Sequence, residues 1–324
     1  MSATDFRPVT GLESFLGADP STRRRLLLIV NPYASTVSDR LRNLVVSALR
    51  GRYEVDAVDT ERREHATELC REAAEEGYDA VVAFGGDGTV NEAANGLVGT
   101  STPLTCLPGG RANVYCRMLG IPADVVDATE HVLAMDGRWQ PRAVDVGKVG
   151  PRHFLFSAGV GLDASVVQRV DANPRLKRNL GQYYYAWVAS TTYGRRYLHR
   201  PPRFETSLGI EGVTALIQNG SPWTYFGDRP VEMASGARLD SGDLAGLILT
   251  RTNPLDIPTI AWRALSSHAE VAGHRQVQSF SGQTTLRVTS RDDRELPVQV
   301  DGDFIGSGIE HEFSVLPGAL RVVA

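Results

Sequence analysis

Strand-like and helix-like patterns alternate over the first third of the chain. Leu26–Val30 is an unbroken apolar run that ends at Asn31-Pro32, which predicts a strand buried on both faces. From Val37 to Leu49 apolar residues recur at helical spacing, and Gly51 ends the predicted helix. Further strands are predicted at 53–59, 80–84 and 104–107, and further helices at 61–76, 91–97 and on either side of Ile121-Pro122. This alternation predicts a parallel sheet with helices on both faces.

The pattern changes after about Gly137. Short β-rich runs then follow one another between Gly, Pro and Asp turns, at 142–149, 154–158, 213–218, 244–250, 285–289, 298–300 and 313–316. Helical patterns interrupt these runs near 163–170, 182–198 and 255–267. Many short strands between turn residues predict a mostly antiparallel β-sandwich with helical insertions.

The two patterns predict two domains. A chain of 324 residues exceeds the size at which a single hydrophobic core usually stops growing. We expect a loose N-terminal arm over 1–22, an α/β domain over 23–137 and a β-sandwich domain over 138–324. The final strand of the chain can return to the first domain in this arrangement.

Composition and charge exclude several classes of protein. The hydrophobic content of 42% and the charged content of 22% are typical of a globular domain. A net charge of −4 argues against a general nucleic-acid binder, because such proteins need an excess of Lys and Arg. Cys70, Cys106 and Cys116 form no C-x-x-C pair, and Leu26–Val30 is too short to span a bilayer. We therefore expect a cytoplasmic protein that is neither secreted nor integral to a membrane.

The segment with the clearest chemistry is Gly85-Gly86-Asp87-Gly88-Thr89, at the end of a predicted strand and the start of a predicted helix. In open α/β sheets this is the edge at which ligands bind. Glycines let a phosphate approach the backbone N–H groups, and the N-terminus of the helix attracts its negative charge. A carboxylate such as Asp87 fits beside a phosphate when Mg²⁺ lies between them. The alternative is a tight turn in which Asp87 only caps the helix.

The stretch Gly85–Glu92, which reads GGDGTVNE, resembles the signature of the diacylglycerol kinase catalytic-domain family. This family includes bacterial lipid kinases, is related to sphingosine and ceramide kinases, and more distantly resembles kinases that phosphorylate NAD. Further landmarks of the family occur in order, so the likeness extends over nearly the whole chain: Asn31-Pro32, Thr60, Pro108–Asn113, Ala158–Ala164 and Val300–Asp303.

The resemblance implies an NAD-kinase-like nucleotide-binding domain followed by a lipid-substrate domain. ATP, with Mg²⁺ as cofactor, would contact Asn31, Pro32, Tyr33, Ala34, Ser35, Thr60, Gly85, Gly86, Asp87, Gly88, Thr89, Val90, Asn91, Glu92, Arg111 and Asp303. The resemblance also implies that Asp301 is the general base and that Asp87 serves catalysis by binding the metal. The expected reaction moves the γ-phosphate of ATP to a lipid hydroxyl, with diacylglycerol giving phosphatidic acid at the inner face of the membrane.

Two alternatives stay open. The first is an NAD-kinase-like enzyme for a soluble substrate, although Asn91-Glu92 and the late Asp301-Gly302-Asp303 fit the lipid kinases better. The second is a catalytically degenerate protein that binds nucleotide or lipid. It is motivated by Arg111, which stands where the family has Thr, and by Val114, which stands where the family has Asp. The arginine could grip an ATP phosphate or fill the pocket. Ser35 and Asp303 also replace a family Gly and Glu.

A second metal site is suggested by the segment 238–244, which resembles a loop of the family that holds a structural Mg²⁺. Ser241 stands at the position of the family's Asp, and Asp240 and Asp243 could replace it as ligands. The alternative is an acidic hairpin turn. Gly159-x-Gly161-x-x-Ala164 also fits a dinucleotide fingerprint, but no acidic residue follows at the required distance. We interpret these glycines as close-packing residues.

The stretch 172–204 contains no acidic residue. It carries seven basic residues interleaved with Tyr183, Tyr184, Tyr185, Trp187, Tyr193 and Tyr197. Cations with amphipathic rings suit the surface of an anionic bilayer, which predicts peripheral membrane contact. The alternative is a helix that packs its aromatic side on the sandwich. A homodimer is also compatible with the sequence.

Overall fold

The computed structural model describes residues 23–173, 176, 181–234, 236–266 and 269–324. The expected arm over 1–22 lies outside the described residues. In the N-terminal part, strands and helices alternate as β1 Arg25–Val30, α1 Asp39–Arg50, β2 Glu54–Asp59, α2 His65–Glu75, β3 Ala80–Gly85, α3 Asp87–Leu97, β4 Leu104–Pro108, α4 Val114–Met118 and α5 Val125–Ala134.

The remainder is rich in short strands. They are β5 Arg142–Val149, β6 Arg152–Phe154, β7 Ser157–Gly161, β8 Phe204–Thr206, β9 Glu211–Gly212, β10 Thr214–Gln218, β11 Thr224–Phe226, β12 Arg229–Val231, β13 Leu244–Leu249, β14 Val277–Gln283, β15 Thr285–Ser290, β16 Leu296–Val300, β17 Asp303–Gly308 and β18 Glu310–Val322. The helices among them are α6 Leu162–Asp171, α7 Gln182–Thr192 and α8 Ile257–Leu265, and a π-helical turn, Tyr193–Tyr197, follows α7.

The N-terminal strands form a parallel sheet in the order β2-β1-β3-β4. Leu28, Ile29 and Val30 of β1 are fully buried, as the unbroken apolar run predicts. Ser38 begins α1 as its N-cap, where the side-chain oxygen accepts a hydrogen bond from the backbone of Leu41. Parallel strands all end at the same edge, so the loops after β1, β2, β3 and β4 meet there.

The C-terminal strands form two antiparallel layers. One is the sheet β14-β13-β10-β7-β16-β17, and the other contains β5, β6, β18, β15, β8 and β9. A second core lies between the layers and includes Phe154, Phe204, Phe280 and Phe313. The mixed α/β fold with a parallel-sheet part and an antiparallel sandwich is therefore confirmed.

The long strand β18 connects the two parts. It pairs along its length with β15 and β5, and its Val322 pairs in parallel with Leu104 of β4. The last strand thus extends the N-terminal sheet. The domain boundary at 137/138 stays a prediction, because one continuous sheet runs through both parts.

Several elements differ from the sequence prediction. The predicted strand 154–158 is divided between β6 and β7, and α3 begins at Asp87, four residues before the predicted start of its helical pattern. Six strands were not predicted. Those at β8, β9, β11 and β12 are only two or three residues long, and in β14 and β17 the alternation of polar and apolar residues is weak. None of the described helices combines the length and apolar character needed to cross a bilayer.

Candidate functional site

The glycine turn between β3 and α3 packs directly against the loop after β4. A Cβ atom on Gly109 would lie 2.8 Å from the Cα of Gly85, and one on Gly110 would lie 2.8 Å from the Cα of Gly86. Backbone therefore touches backbone at these positions, and any side chain would separate the two loops. Close packing of the two loops therefore explains glycine at positions 85, 109 and 110, in addition to any need for glycine in ligand binding.

Asp87 is the first residue of α3 and is partly buried. Its Oδ1 accepts a hydrogen bond of 3.1 Å from the backbone N–H of Tyr115, so it caps the neighbouring helix α4 and not its own helix. Burial, helped by the nearby carboxylates of Asp301 and Asp303, raises the pKa of Asp87 to about 6 against the opposing hydrogen bond from Tyr115. The alternative in which Asp87 caps its own helix is therefore not what the structure shows, and a carboxyl group of raised pKa lies at the glycine turn.

Asp301 occupies a two-residue hairpin turn between β16 and β17. Val300 pairs with Asp303 across the turn, and Asp301 and Gly302 have φ values of 47° and 85°. Two positive φ values in a row are typical of a type I′ turn, in which Asp-Gly is a favoured pair. The backbone N–H of Asp301 donates to the carbonyl of Ser157 at 2.8 Å, which ties the turn to β7.

The carboxylate of Asp301 is buried and accepts four hydrogen bonds. The backbone N–H of Leu155 donates to Oδ2 at 2.7 Å, and those of Phe156 and Ser157 donate to Oδ1 at 3.1 and 3.0 Å. The side-chain amide of Asn91 donates to Oδ2 at 2.8 Å. Burial raises the pKa of Asp301 to about 6 although these four donors lower it. Since a carboxylate offers about four acceptor positions, all of them are filled.

Asn91 connects this carboxylate to an arginine that the sequence analysis missed. Its Oδ1 accepts a hydrogen bond of 3.0 Å from Nη2 of Arg152, and its Nδ2 donates to the carbonyl of His153 at 2.9 Å. Arg152 also forms an ion pair with Glu64. An arginine after Gly150-Pro151 looks like a solvated turn residue, so no local signal pointed to it. Asn91, predicted to contact ATP, lies behind Asp301 with 1% of its surface exposed.

An open cavity of about 520 Å³ lies beside the glycine turn. Seven of the predicted nucleotide contacts line it: Asn31, Tyr33, Thr60, Gly88, Thr89, Glu92 and Asp303. Seven residues that were not predicted line it as well: Glu61, Arg62, Arg63, Glu64, Arg152, Phe304 and Ile305. Asn31 is held in place because its Nδ2 donates to Oγ1 of Thr89 at 2.9 Å. The structure therefore brings together residues from four separate predicted segments.

Other predicted contacts lie outside the lining of this cavity. Gly85 and Val90 are buried, and Pro32, Ala34 and Ser35 continue the loop after β1 beyond Asn31 and Tyr33. Asp87 lies deeper, at the N-terminus of α4, and Gly86 lies against Gly110. Arg111 extends to α7, where a Cβ atom on Gly181 would lie 1.9 Å from its Nη1.

The cavity suits a magnesium ion that shares its ligands with phosphates. Its lining contains the carboxylates of Glu61, Glu64, Glu92 and Asp303. Among the residues that the structure describes, no group of three or more His, Cys, Asp or Glu side chains is arranged to hold a metal by itself. Mg²⁺ usually takes one or two carboxylates and completes its shell with water and substrate phosphates, and this lining fits that need.

The predicted second metal loop is occupied by contacts within the protein. Arg238 donates to both oxygens of Asp240, and the hydroxyl of Ser241 donates to Oδ1 of Asp243 at 2.7 Å. Asp145, which was not predicted, accepts hydrogen bonds from the backbone of Gly242 and Gly318 at 2.6 and 2.8 Å. The metal role of Asp240 and Asp243 stays a prediction.

The motif around Gly159 supports the turn of Asp301. Gln299 donates from Nε2 to Oδ2 of Asp163 at 2.7 Å, and its Oε1 accepts from the backbone of Gly302 at 2.8 Å. A Cβ atom on Gly159 would lie 2.1 Å from Oδ2 of Asp163, so glycine leaves room for this chain of hydrogen bonds. The close-packing interpretation of Gly159 agrees with this contact.

The chain is similar in sequence to a known family and to individual members of it. Residues 25–149 match the family described as the diacylglycerol kinase catalytic domain. A diacylglycerol kinase of Staphylococcus aureus is 27% identical over 294 residues, which are 88% of this chain and 87% of that protein. A protein of Pseudomonas syringae described as "Probable lipid kinase YegS-like" is 35% identical over 174 residues, 53% of this chain and 54% of that protein.

The fold is also found among solved structures. A Bacillus anthracis structure described as a diacylglycerol kinase superposes with a TM-score of 0.67 and 20% identity, over 93% of this chain and 97% of that chain. At this level of identity the likeness concerns the fold. The match over residues 25–149 and the relatives along the chain confirm the resemblance of its ordered motifs to the diacylglycerol kinase catalytic-domain family.

Proposed function

We propose that this protein is a lipid kinase that transfers the γ-phosphate of ATP to a lipid hydroxyl, with diacylglycerol as the acceptor and phosphatidic acid as the product. The observation that carries the proposal is the pair Asp87 and Asp301, two carboxyl groups with a pKa near 6 beside a glycine turn and an open cavity. The relatives described as a diacylglycerol kinase and as a lipid kinase support the choice of acceptor.

The reaction needs a carboxylate that is ionised at neutral pH but remains basic. The acceptor hydroxyl oxygen attacks the γ-phosphorus, the bond from phosphorus to the bridging oxygen breaks, and ADP leaves with that oxygen. The hydroxyl proton passes to the carboxylate. A pKa near 6 suits this task, because the group is mostly charged at pH 7 and is more basic than an ordinary aspartate. Bound Mg²⁺ would neutralise phosphate charge, and Asp87 and Asp303 are the carboxylates we assign to hold it.

The two carboxylates are not equally ready to accept a proton. Asp301, the predicted base, must release one of its four hydrogen-bond donors before a hydroxyl can reach it. Asp87 is partly exposed, and its Oδ1 accepts a hydrogen bond from the backbone N–H of Tyr115. We keep Asp301 as the proposed base and Asp87 as the proposed metal partner, and the dependence of the transfer rate on pH in an Asp303→Asn variant tests whether these roles are reversed.

The position of Arg111 bears on the catalytically degenerate alternative. In one version of that alternative the arginine fills the pocket. Its guanidinium instead lies against Gly181 at the start of α7, so it does not fill the 520 Å³ cavity. A nucleotide can therefore enter, and the acceptor screen decides between transfer and binding alone.

An acceptor screen tests the proposed function. Purified protein, Mg²⁺ and ATP labelled in the γ-phosphate are incubated separately with diacylglycerol, ceramide, sphingosine and NAD. We expect labelled phosphatidic acid as the main product. Labelled NADP would favour the soluble-substrate alternative, and binding of ATP without transfer to any acceptor would favour the degenerate one.

A further inference from the structure

The helix α7 presents aromatic side chains on both of its faces. Tyr184 and Val188 are buried against Val166 and Val170 of α6. Tyr183 and Trp187 lie four residues apart on the outer side and are 76% and 58% exposed. Because the inner face already supplies the packing, the exposed pair is not part of the core. The alternative in which the aromatic side of this segment packs inward accounts for Tyr184, Tyr185 and Tyr197, but not for Tyr183 and Trp187.

Positive charge lies in the turn that follows α7. Arg195 and Arg196 are exposed in the π-helical turn that ends α7. Tyr193 and Tyr197 of the same turn bond to Thr252, and the one acidic residue in the contacted segment 250–266 is Asp256. Asp256 is buried and paired with Arg275, so it does not offset the arginines at the surface.

The same helix adjoins the candidate site. Its start, Gly181, contacts the guanidinium of Arg111, whose neighbour Gly110 packs on Gly86 of the glycine turn. The supporting helix α6 holds the hairpin of Asp301 through Asp163, and Asp171 accepts a hydrogen bond of 3.2 Å from the backbone of Phe304. A surface bound to α7 would therefore lie next to both catalytic loops.

We propose that the exposed surface formed by Tyr183 and Trp187 on the outer face of α7, together with Arg195 and Arg196 of the π-helical turn that follows it, docks the protein on an anionic lipid bilayer. Indole and phenol rings settle at the boundary between head groups and acyl chains, and arginines bind the head-group phosphates. The purpose of this face rests on the proposed lipid kinase function, because a long-chain acceptor must be taken from a membrane. Its existence does not depend on catalysis.

Vesicle sedimentation without ATP or acceptor tests this face separately from the enzymatic reaction. The full chain is mixed with vesicles of equal parts phosphatidylcholine and phosphatidylglycerol, and with vesicles of phosphatidylcholine alone. We expect binding to the anionic vesicles that weakens as salt is added. The double variant Arg195→Gln/Arg196→Gln should reduce the partition coefficient about 25-fold, at about fivefold for each cation.

The aromatic pair is tested in the same assay. We expect Tyr183→Ser and Trp187→Ala each to lower binding several-fold while the melting temperature stays close to that of the wild type. Tyr183→Ser is the safer variant, because Trp187 stacks on Tyr184 at 6.0 Å and its loss could loosen the helix. Matched controls are Phe226→Ala, an aromatic that is 53% exposed on the β11–β12 hairpin, and Arg40→Gln/Arg71→Gln, two exposed cations of α1 and α2.

Three outcomes overturn the proposal. The first is a wild type that does not sediment with anionic vesicles, and the second is an equal loss in the control variants. The third is a change of oligomeric state in Tyr183→Ser with unchanged vesicle binding, which would make the face an interface between copies of the chain. Vesicle binding by a protein that phosphorylates no lipid would support the docking face and contradict the proposed function, so the two failures can be told apart.

Discussion

Asp87 and Asp301 have nearly equal pKa values but very different hydrogen-bond environments. Asp87 begins a helix, is partly exposed and accepts a hydrogen bond from the start of α4. Asp301 sits in a hairpin with a positive φ, and four donors fill its carboxylate. Burial raises both pKa values to about 6. Equal pKa values therefore do not imply equal roles. Asp87 is partly exposed and can bind a ligand, whereas Asp301 organises the backbone around it.

The largest effect is expected from Asp301→Asn. An amide in this place turns an N–H₂ group toward backbone donors that previously bonded to oxygen. We expect transfer activity to be lost and the free energy of unfolding to fall by about 3 kcal/mol, since buried donors are left unsatisfied. Kinetics and urea unfolding measure the two losses. A variant as stable as the wild type would show that the four bonds are not maintained in solution.

Asp87→Asn should separate chemistry from stability more cleanly. The amide oxygen can keep the hydrogen bond from the backbone N–H of Tyr115, so we expect the melting temperature to change little. The rate of phosphate transfer should fall on the order of 10²-fold or more, the scale of one lost charge contact in the transition state. ATP binding measured by calorimetry is the control. A rate within threefold of the wild type would reduce Asp87 to a capping residue.

Asp163→Asn is expected to stabilise the protein at neutral pH. Burial raises the pKa of Asp163 to about 6, so the folded state binds its proton more tightly than the unfolded chain does. The stability from this group is complete below about pH 4 and is lost as the pH rises through 6. An amide keeps an acceptor for Gln299 but cannot ionise. We expect a gain of about 1 to 2 kcal/mol at pH 7 and none at pH 4. Urea unfolding at both pH values checks this.

The sequence predicted the parts of the site that lie on continuous segments. The buried run of β1, the glycine turn after β3 and the Asp-Gly hairpin all have local signals, and the structure contains each of them. The resemblance of the ordered motifs also identified the family correctly. These successes share a cause, because a strand, a turn and a motif are each written in consecutive residues.

The remainder of the site depends on contacts between distant segments. The donors of Leu155, Phe156 and Ser157 reach Asp301 only because β7 pairs with β16. Arg152 becomes part of the site through Asn91, which lies 61 residues away in the sequence. No local pattern records such pairings, so the saturation of Asp301 could not be predicted. The position of Arg111 beside Gly181 could not be predicted for the same reason.

The dependence of the transfer rate on pH, measured at saturating ATP and Mg²⁺, tests the central claim that a buried carboxylate with a pKa near 6 accepts the proton. A raised pKa means that the rate should fall tenfold per unit as the pH drops below about 6, where an ordinary aspartate would keep its charge to about pH 4. The variant Asp303→Asn sharpens the assignment, because Asp303 helps to raise the pKa of Asp87. If the pH at which the rate begins to fall is the same in this variant as in the wild type, the result supports Asp301 as the base. If that pH is lower in the variant, the base is Asp87. A rate that stays flat from about pH 5 to 8 would contradict the account for both carboxylates.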